Sequence, residues 1–160
     1  YRQPLDFTKS GLDEAKRELD RFYGALRGGV AASGGEGIDD AVKSALTDDM
    51  NTPLALTALH GKLRDLNNTQ DADGRATVAQ SLVDAGVVLG LLQDDPEAWF
   101  TWRPTGASGL EDSDIEAMIQ QRSNARSAKD FATSDRIRDE LTDAGIVLED
   151  KTDGTIWRRG

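Results

Sequence analysis

Cysteine is missing from all 160 residues, and histidine occurs once, at His60. The first absence excludes disulfides, thiolate zinc sites, cysteine nucleophiles and iron–sulfur clusters from this chain. The second leaves no histidine pair for a metal or a proton relay. Long apolar runs are missing as well. Nothing approaches the ~20 residues of a membrane span, and the amino-terminal YRQPLDFTKS lacks the apolar core of a signal peptide. A soluble, cytoplasmic protein is the expectation. Positive charge is scarce: 29 Asp and Glu face 19 Lys and Arg, a net charge of -10. Polyanion binders usually carry a basic footprint, so the total argues against wholesale nucleic-acid binding.

Counted by segment, the charge tells a different story. From Met118 to the end there are eight basic and eight acidic residues, so the segment is neutral. Residues 1–117 hold 11 basic and 21 acidic groups and carry the whole excess. The two ends are different electrostatic objects, which suggests different tasks.

Hydrophobic spacing over the first 100 residues predicts helices. Ser10 with Asp13 three residues on forms a capping-box start, and Leu12, Ala15, Leu19, Phe22 and Leu26 recur at threes and fours. Gly28 and Gly29 end this helix. In the glycine-rich segment 28–37 the Gly29–Gly34 spacing lacks the lysine of a phosphate loop, because Gly35 stands in its place, so a connector is predicted. Ile38, Val42, Ala45 and Leu46 mark a second, shorter helix. Thr52 as cap and Pro53 in the first turn open a third, with the stripe Leu56, Leu59, Leu63 and Leu66. A fourth runs from Asp73 to Leu92 through Ala79, Leu82, Val83, Gly86 and Leu89. Four such helices suit a four-helix bundle. Asp94-Asp95-Pro96 ends it, and a short turn with Trp99, Phe100 and Trp102 leads into a Gly/Pro-containing linker.

Beyond the linker the pattern predicts a helix over 113–128 and another over 131–144, capped by Asp130 and stopped by Gly145. A hairpin over 146–159 follows, turning at Lys151-Thr152-Asp153-Gly154. The expected fold is mainly α: a four-helix bundle over 1–100, a linker over 101–111 and a small α+β module of two helices and a hairpin over 112–160.

No catalytic constellation is visible. His60 lies one residue after the core position Leu59, and solvation or capping accounts for it. Asp48-Asp49 lies between helices and reads as turn and cap chemistry rather than as a carboxylate dyad. The informative region is 115–138. Ile115, Met118 and Ile119 form an apolar stripe that Arg122, Arg126 and Lys129 continue, so a buried face turns cationic. On the next helix Phe131, Asp135 and Arg138 share one side, opposite Ile137, Leu141 and Ala144. Cations, a ring and a placed acceptor suit an unpaired RNA loop: Arg bonds guanine edges or phosphates, the ring stacks a splayed base, and Asp accepts from a cytosine amino group. Ordinary helix-end charge explains the same residues, with basic groups favoured in a last turn and Asp135 paired to Arg138.

The chain also resembles the carboxy-terminal region of the bacterial cysteinyl-tRNA synthetases, a class I family. The resemblance rests on Tyr1-Arg2-Gln3-Pro4-Leu5-Asp6-Phe7, Asp48-Asp49-Met50-Asn51-Thr52-Pro53 and Leu89-Gly90-Leu91-Leu92. It rests most on Ile119-Gln120-Gln121-Arg122, Arg126-Ser127-Ala128-Lys129-Asp130-Phe131, Asp135, Arg138, Leu141, Gly145 through Asp150 and Gly154 through Arg159, taken in order. It implies a DALR-type domain that supports the tRNA stem, then a small domain that reads the GCA anticodon of tRNA(Cys). Anticodon contacts would fall at Arg126, Phe131, Asp135 and Asp150, with Arg122, Lys129, Arg138 and Trp157 completing the RNA-binding set. ATP with magnesium and a zinc ion would belong to the family's amino-terminal catalytic domain, which would be this chain's protein partner. No catalytic residue, metal ligand or cofactor site is implied here. A monomer is expected. The family often has Trp at the position of Phe131 and Lys at that of Ser127, which implies a smaller stacking ring and one backbone contact fewer.

Two rivals make different demands. A free-standing helical module would bind protein and ignore RNA. The related cysteine-ligating enzyme of thiol biosynthesis is expected to lack the tail from Arg122 to Trp157.

Overall fold

The computed structural model describes residues 7–27, 39–103, 109–152 and 154–160. Most of the opening motif, the glycine-rich connector, the centre of the linker and Asp153 of the hairpin turn lie outside the described residues. The described elements are α1 (Lys9–Leu26), α2 (Asp40–Thr47), α3 (Thr52–Asn68), α4 (Ala72–Val88), α5 (Pro96–Thr101), α6 (Asp112–Ser127), α7 (Phe131–Asp143), β1 (Ile146–Lys151) and β2 (Gly154–Arg159). The fold is mainly α with one hairpin, as the sequence predicts. The chain divides into two compact units, Tyr1–Glu97 and Ala98–Gly160.

In the first unit, side chains from α1 to α4 bury one another. Phe22, Tyr23 and Leu26 of α1, Val42 and Ala45 of α2, Ala55, Leu59, Leu63 and Leu66 of α3, and Ala79, Leu82, Val83 and Ala85 of α4 form the core. The predicted stripe of α1 is corrected in its first half: Leu12 is 49% exposed, and burial begins only near Phe22. The predicted caps shift by one or two residues. Thr8 rather than Ser10 opens α1 by accepting from the Gly11 N–H, and Asn51 rather than Thr52 opens α3 by accepting from Leu54. Either side chain serves the same need, an acceptor for an amide the first turn leaves without a partner. On α3, Ala55 is buried where Leu56 was expected.

Polar groups tie the helix ends. Arg75 donates to the Leu66 carbonyl at 2.9 Å and to the Ala25 carbonyl at 3.0 Å, satisfying the carboxy-terminal ends of α3 and α1 together. Arg27 forms a two-pronged pair with Glu97, and Lys62 reaches Asp39, the cap of α2, at 2.6 Å. His60 is neither solvated alone nor a cap: its Nε2 lies 2.6 Å from Glu18, and its ring sits 5.1 Å from that of Phe22. Asp48 and Asp49 occupy the α2–α3 turn, where Asp49 and Met50 adopt left-handed backbone at φ 52° and 57°.

The second unit begins within α5, a six-residue helix where the sequence suggested a short turn. Its core is Ile115, Ile137, Leu141, Ile146 and Trp157, with Leu110, Met118, Ile119 and Leu148 packed around it. α6 and α7 lie on one face of the antiparallel hairpin, whose register pairs Ile146 with Arg159, Leu148 with Trp157 and Asp150 with Thr155. Strand alternation therefore sends Ile146, Leu148, Asp150, Thr155 and Trp157 to the helix side. Arg159 closes the unit by bonding the Thr101 and Leu110 carbonyls at 3.1 Å and the Asp112 carboxylate. No helix among the described residues is long and apolar enough to cross a membrane.

Candidate nucleic-acid interface

The site is built around the α6–α7 turn. α6 ends at Ser127, Lys129 takes φ 60°, and Asp130 caps α7 by accepting from the Thr133 N–H at 3.1 Å. Hydrogen bonding from Thr133, first from its side chain and then from this N–H, holds the Asp130 carboxyl below the usual carboxylate range. The reversal sets Phe131 at the first position of α7 with its ring 62% exposed. Asp135 and Arg138 follow on the same outward side at i+4 and i+7, with 3.9 Å between their charged groups. Ser134, Ile137 and Leu141 face inward. Ala144, expected inward, is exposed instead as the residue after the last turn.

Asp150 is the electrostatic centre. Its Oδ1 accepts from Arg122 Nη1 at 3.0 Å and from the Thr155 hydroxyl at 2.7 Å. Its Oδ2 accepts from Arg122 Nη2 at 2.9 Å and from Arg126 Nη1 at 3.2 Å. The guanidinium of Arg122 and the hydroxyl of Thr155 hold the Asp150 carboxyl well below the usual carboxylate range. Arg122 is held correspondingly more strongly in its charged form, first by the Asp150 hydrogen bonds, with Asp135 adding a smaller attraction against the cost of burial. Asp135 on α7 therefore lies within electrostatic reach of the Arg122–Asp150 pair.

Six of the eight expected RNA-binding residues are thus exposed around this corner: Arg126, Lys129, Phe131, Asp135, Arg138 and Asp150. Two are corrected. Trp157 is only 8% exposed, because its register partner Leu148 faces the helices and carries it into the core, with Arg159 stacked 5.3 Å from its ring. Arg122 is 5% exposed, because it stands seven residues after the fully buried Ile115 on the same side of α6. Thr155 was not anticipated. Counting back from a two-residue turn would have placed it opposite Asp150. Among the described residues no group of three His, Cys, Asp or Glu side chains could hold a metal ion.

The pair has a pH signature. A carboxyl whose pKa is lowered by folding contributes stability above its unfolded value, near 4, and loses that contribution as pH falls. Thermal melts of the second unit, followed by near-ultraviolet circular dichroism, are expected to be level from pH 7 to about 5 and to fall below about 4. Asp150→Asn should flatten that acid limb. An unchanged limb would mean other carboxylates dominate it.

Comparison with known proteins gives two family matches. Residues 110–158 match the cysteinyl-tRNA ligase anticodon binding domain, and residues 41–93 match the DALR domain. The cysteine–tRNA ligase of Rhodospirillum rubrum is 48% identical over 161 residues, covering 99% of this chain and 35% of that protein. The enzyme of the same name from Rhodospirillum centenum is 50% identical, covering 99% and 34%, and that from Methylococcus capsulatus 45%, covering 99% and 36%. The chain spans about a third of the length of these curated relatives, at their carboxy-terminal part. Two domain matches in the expected order, together with similarity along nearly the whole chain, make it a member of the cysteine–tRNA ligase family that carries the DALR and anticodon-binding domains.

Proposed function

We propose that this chain is the tRNA-recognising part of a cysteine–tRNA ligase. In this reading the second unit binds the anticodon loop of tRNA(Cys) and the first supports the stem. Ligation, with its ATP, magnesium and zinc, belongs to a catalytic domain that this chain serves as a monomeric recognition arm, without a membrane.

The observation that carries the reading is the exposed ring of Phe131 at the edge of an ordered set of charges. Phe22 and Phe100 are buried. Phe131 leaves its ring in solvent at a helix start, one turn from the acceptor Asp135, while Asp150 holds Arg126 nearby. A splayed base would stack on the ring, Arg126 would donate to a base edge, and Asp135 would accept from an amino group. Arg138 and Lys129 would meet phosphates. Because the segment from Met118 onward is neutral and several of its arginines are paired, the salt dependence of binding should be shallow.

Fluorescence titration of the 160-residue chain with a tRNA(Cys) transcript and single-base anticodon variants tests this. Phe131→Ala is expected to weaken binding by about 1–3 kcal/mol, the worth of one stacked base. Arg126→Ala is expected to remove a similar amount of discrimination between the GCA anticodon and its variants, about 1–3 kcal/mol. Unchanged discrimination in Arg126→Ala and in Asp135→Ala would sink the assignment. A chain that bound no RNA but captured a protein would favour the interaction-module rival.

A further inference from the structure

We propose that Arg122 is a positioning residue for this RNA reader, fixing the Asp150 carboxylate and through it Arg126 without touching RNA. The inference rests on the anticodon-reading function proposed above.

Three observations carry it. First, Arg122 is buried at a position where the stripe of Ile115, Met118 and Ile119 would accept an apolar side chain. It nevertheless carries a guanidinium whose Nε has no hydrogen-bond partner. Burying a cation with one donor unsatisfied costs stability, and an apolar residue of similar volume serves a core at least as well. A core role alone does not account for arginine here. Second, the geometry is a fork. Nη1 and Nη2 each take one oxygen of Asp150, at 3.0 and 2.9 Å. Two parallel bonds set the plane of the carboxylate as well as its place, which a lysine's single point of charge does not do. Thr155 completes the clamp by accepting from Arg122 at 3.4 Å and donating to Asp150 at 2.7 Å.

Third, the charges are arranged in series. Arg122 neutralises Asp150 from the buried side, so Arg126 on the outer side meets a carboxylate already compensated. Arg126 makes one contact, through Nη1 at 3.2 Å, and its side chain stays half exposed. With Arg122 removed, Asp150 would become the full counter-ion of Arg126 and draw its guanidinium down onto the hairpin. With Arg122 present, the carboxylate orients Arg126 and leaves its other N–H groups for a ligand.

The test is anisotropy titration of the 160-residue chain with the tRNA(Cys) transcript and single-base anticodon variants, repeated between 50 and 200 mM salt. Arg122→Lys, which keeps the charge and loses the fork, is expected to cut anticodon discrimination about tenfold, as for one lost bidentate contact. Its salt slope should match that of the unaltered chain. Asp150→Asn should lose at least as much, and the double variant no more than Asp150→Asn alone, since both act through one carboxylate. Full discrimination in a folded Arg122→Lys overturns the proposal. So do additive losses, or a salt slope shallower by about one, which would place Arg122 on a phosphate. Thr155→Val perturbs the same clamp more gently. Should Arg122→Lys fail to fold, Thr155→Val decides: a measurable loss supports positioning, and unchanged discrimination refutes it. Arg126→Ala, run in parallel, separates the two levels. If it leaves discrimination intact, the anticodon reading itself fails; if it abolishes discrimination while Arg122→Lys does not, only positioning falls.

Discussion

Leu141→Ala is expected to unfold the second unit at 37 °C. Leu141 is fully buried, and among the described residues the core it shares has four other buried members, Ile115, Ile137, Ile146 and Trp157. Truncating a buried leucine costs about 2–5 kcal/mol, because the transfer energy of the lost carbons adds to that of a cavity the surroundings only partly fill. A unit of roughly 60 residues has about 3–9 kcal/mol in total. The loss is therefore comparable with the whole. Arg138, three residues earlier on the exposed side of the same helix, should cost under about 0.5 kcal/mol when changed to Ala. Urea unfolding followed by backbone amide resonances checks both at once, since signals from β1 and β2 report the second unit and those from α3 the first. A midpoint for the β1 and β2 signals that stays in place in Leu141→Ala would contradict the assignment of this core. Anticodon discrimination should vanish with the same transition, because Asp150 and Thr155 are held by the hairpin that Leu141 supports.

The long helices were legible because apolar spacing is a strong signal over 13 to 18 residues, and α1, α3, α4, α6 and α7 all have such lengths, whereas the six residues of α5 are too few to show a period. Periodicity reports which face of a helix is apolar. It does not report how far a neighbour runs alongside, which is why Leu12 was expected in the core and lies in solvent while Tyr23 was overlooked and is buried. Caps were misplaced by a residue or two because Ser, Thr and Asn all offer an acceptor, and only the backbone path selects among them.

The site divides along the same line. Exposure of Phe131, Asp135 and Arg138 followed from their position opposite Ile137 and Leu141, and the structure agrees. Trp157 joined the expected RNA-binding set through the family resemblance and Arg122 as the first cation continuing the apolar stripe, although both stood at positions whose register or spacing pointed inward. Strand pairing with Leu148 and the seven-residue step from Ile115 are stronger physical constraints than composition. Thr155 was missed because a hydroxyl carries no pattern of its own. Its meaning lies wholly in facing Asp150 across the hairpin.

Gly86→Val is expected to destabilise the first unit by about 3 kcal/mol or more, the upper range for overpacking. Sequence reading treats Gly86 as an ordinary member of the α4 stripe and continues that helix to Leu92. Instead α4 ends at Val88, Gly90 reverses the chain at φ 74°, and Leu92 folds back at φ 59° into the core. A Cβ on Gly86 would lie 2.9 Å from Leu92 Cδ1, 3.0 Å from its Cγ and 3.1 Å from its Cβ. Leu92 cannot step aside cheaply: it is 2% exposed, and the Leu89 and Leu91 amides that shape the reversal both bond the Gly86 carbonyl at 2.9 Å. Alanine gains helix propensity of about 1 kcal/mol over glycine, so Gly86→Ala should fall between the unaltered chain and valine. Gly61, on α3, is the control, since nothing lies within 4 Å of its added Cβ. Gly61→Ala should gain up to about 1 kcal/mol. Urea midpoints from α3 and α4 resonances order the variants, and Leu92→Ala placed on Gly86→Val should cost less than on the unaltered chain, because it clears the clash. A Gly86→Val midpoint equal to that of the unaltered chain would show that the turn after α4 yields, and that Leu92 is not locked against this glycine.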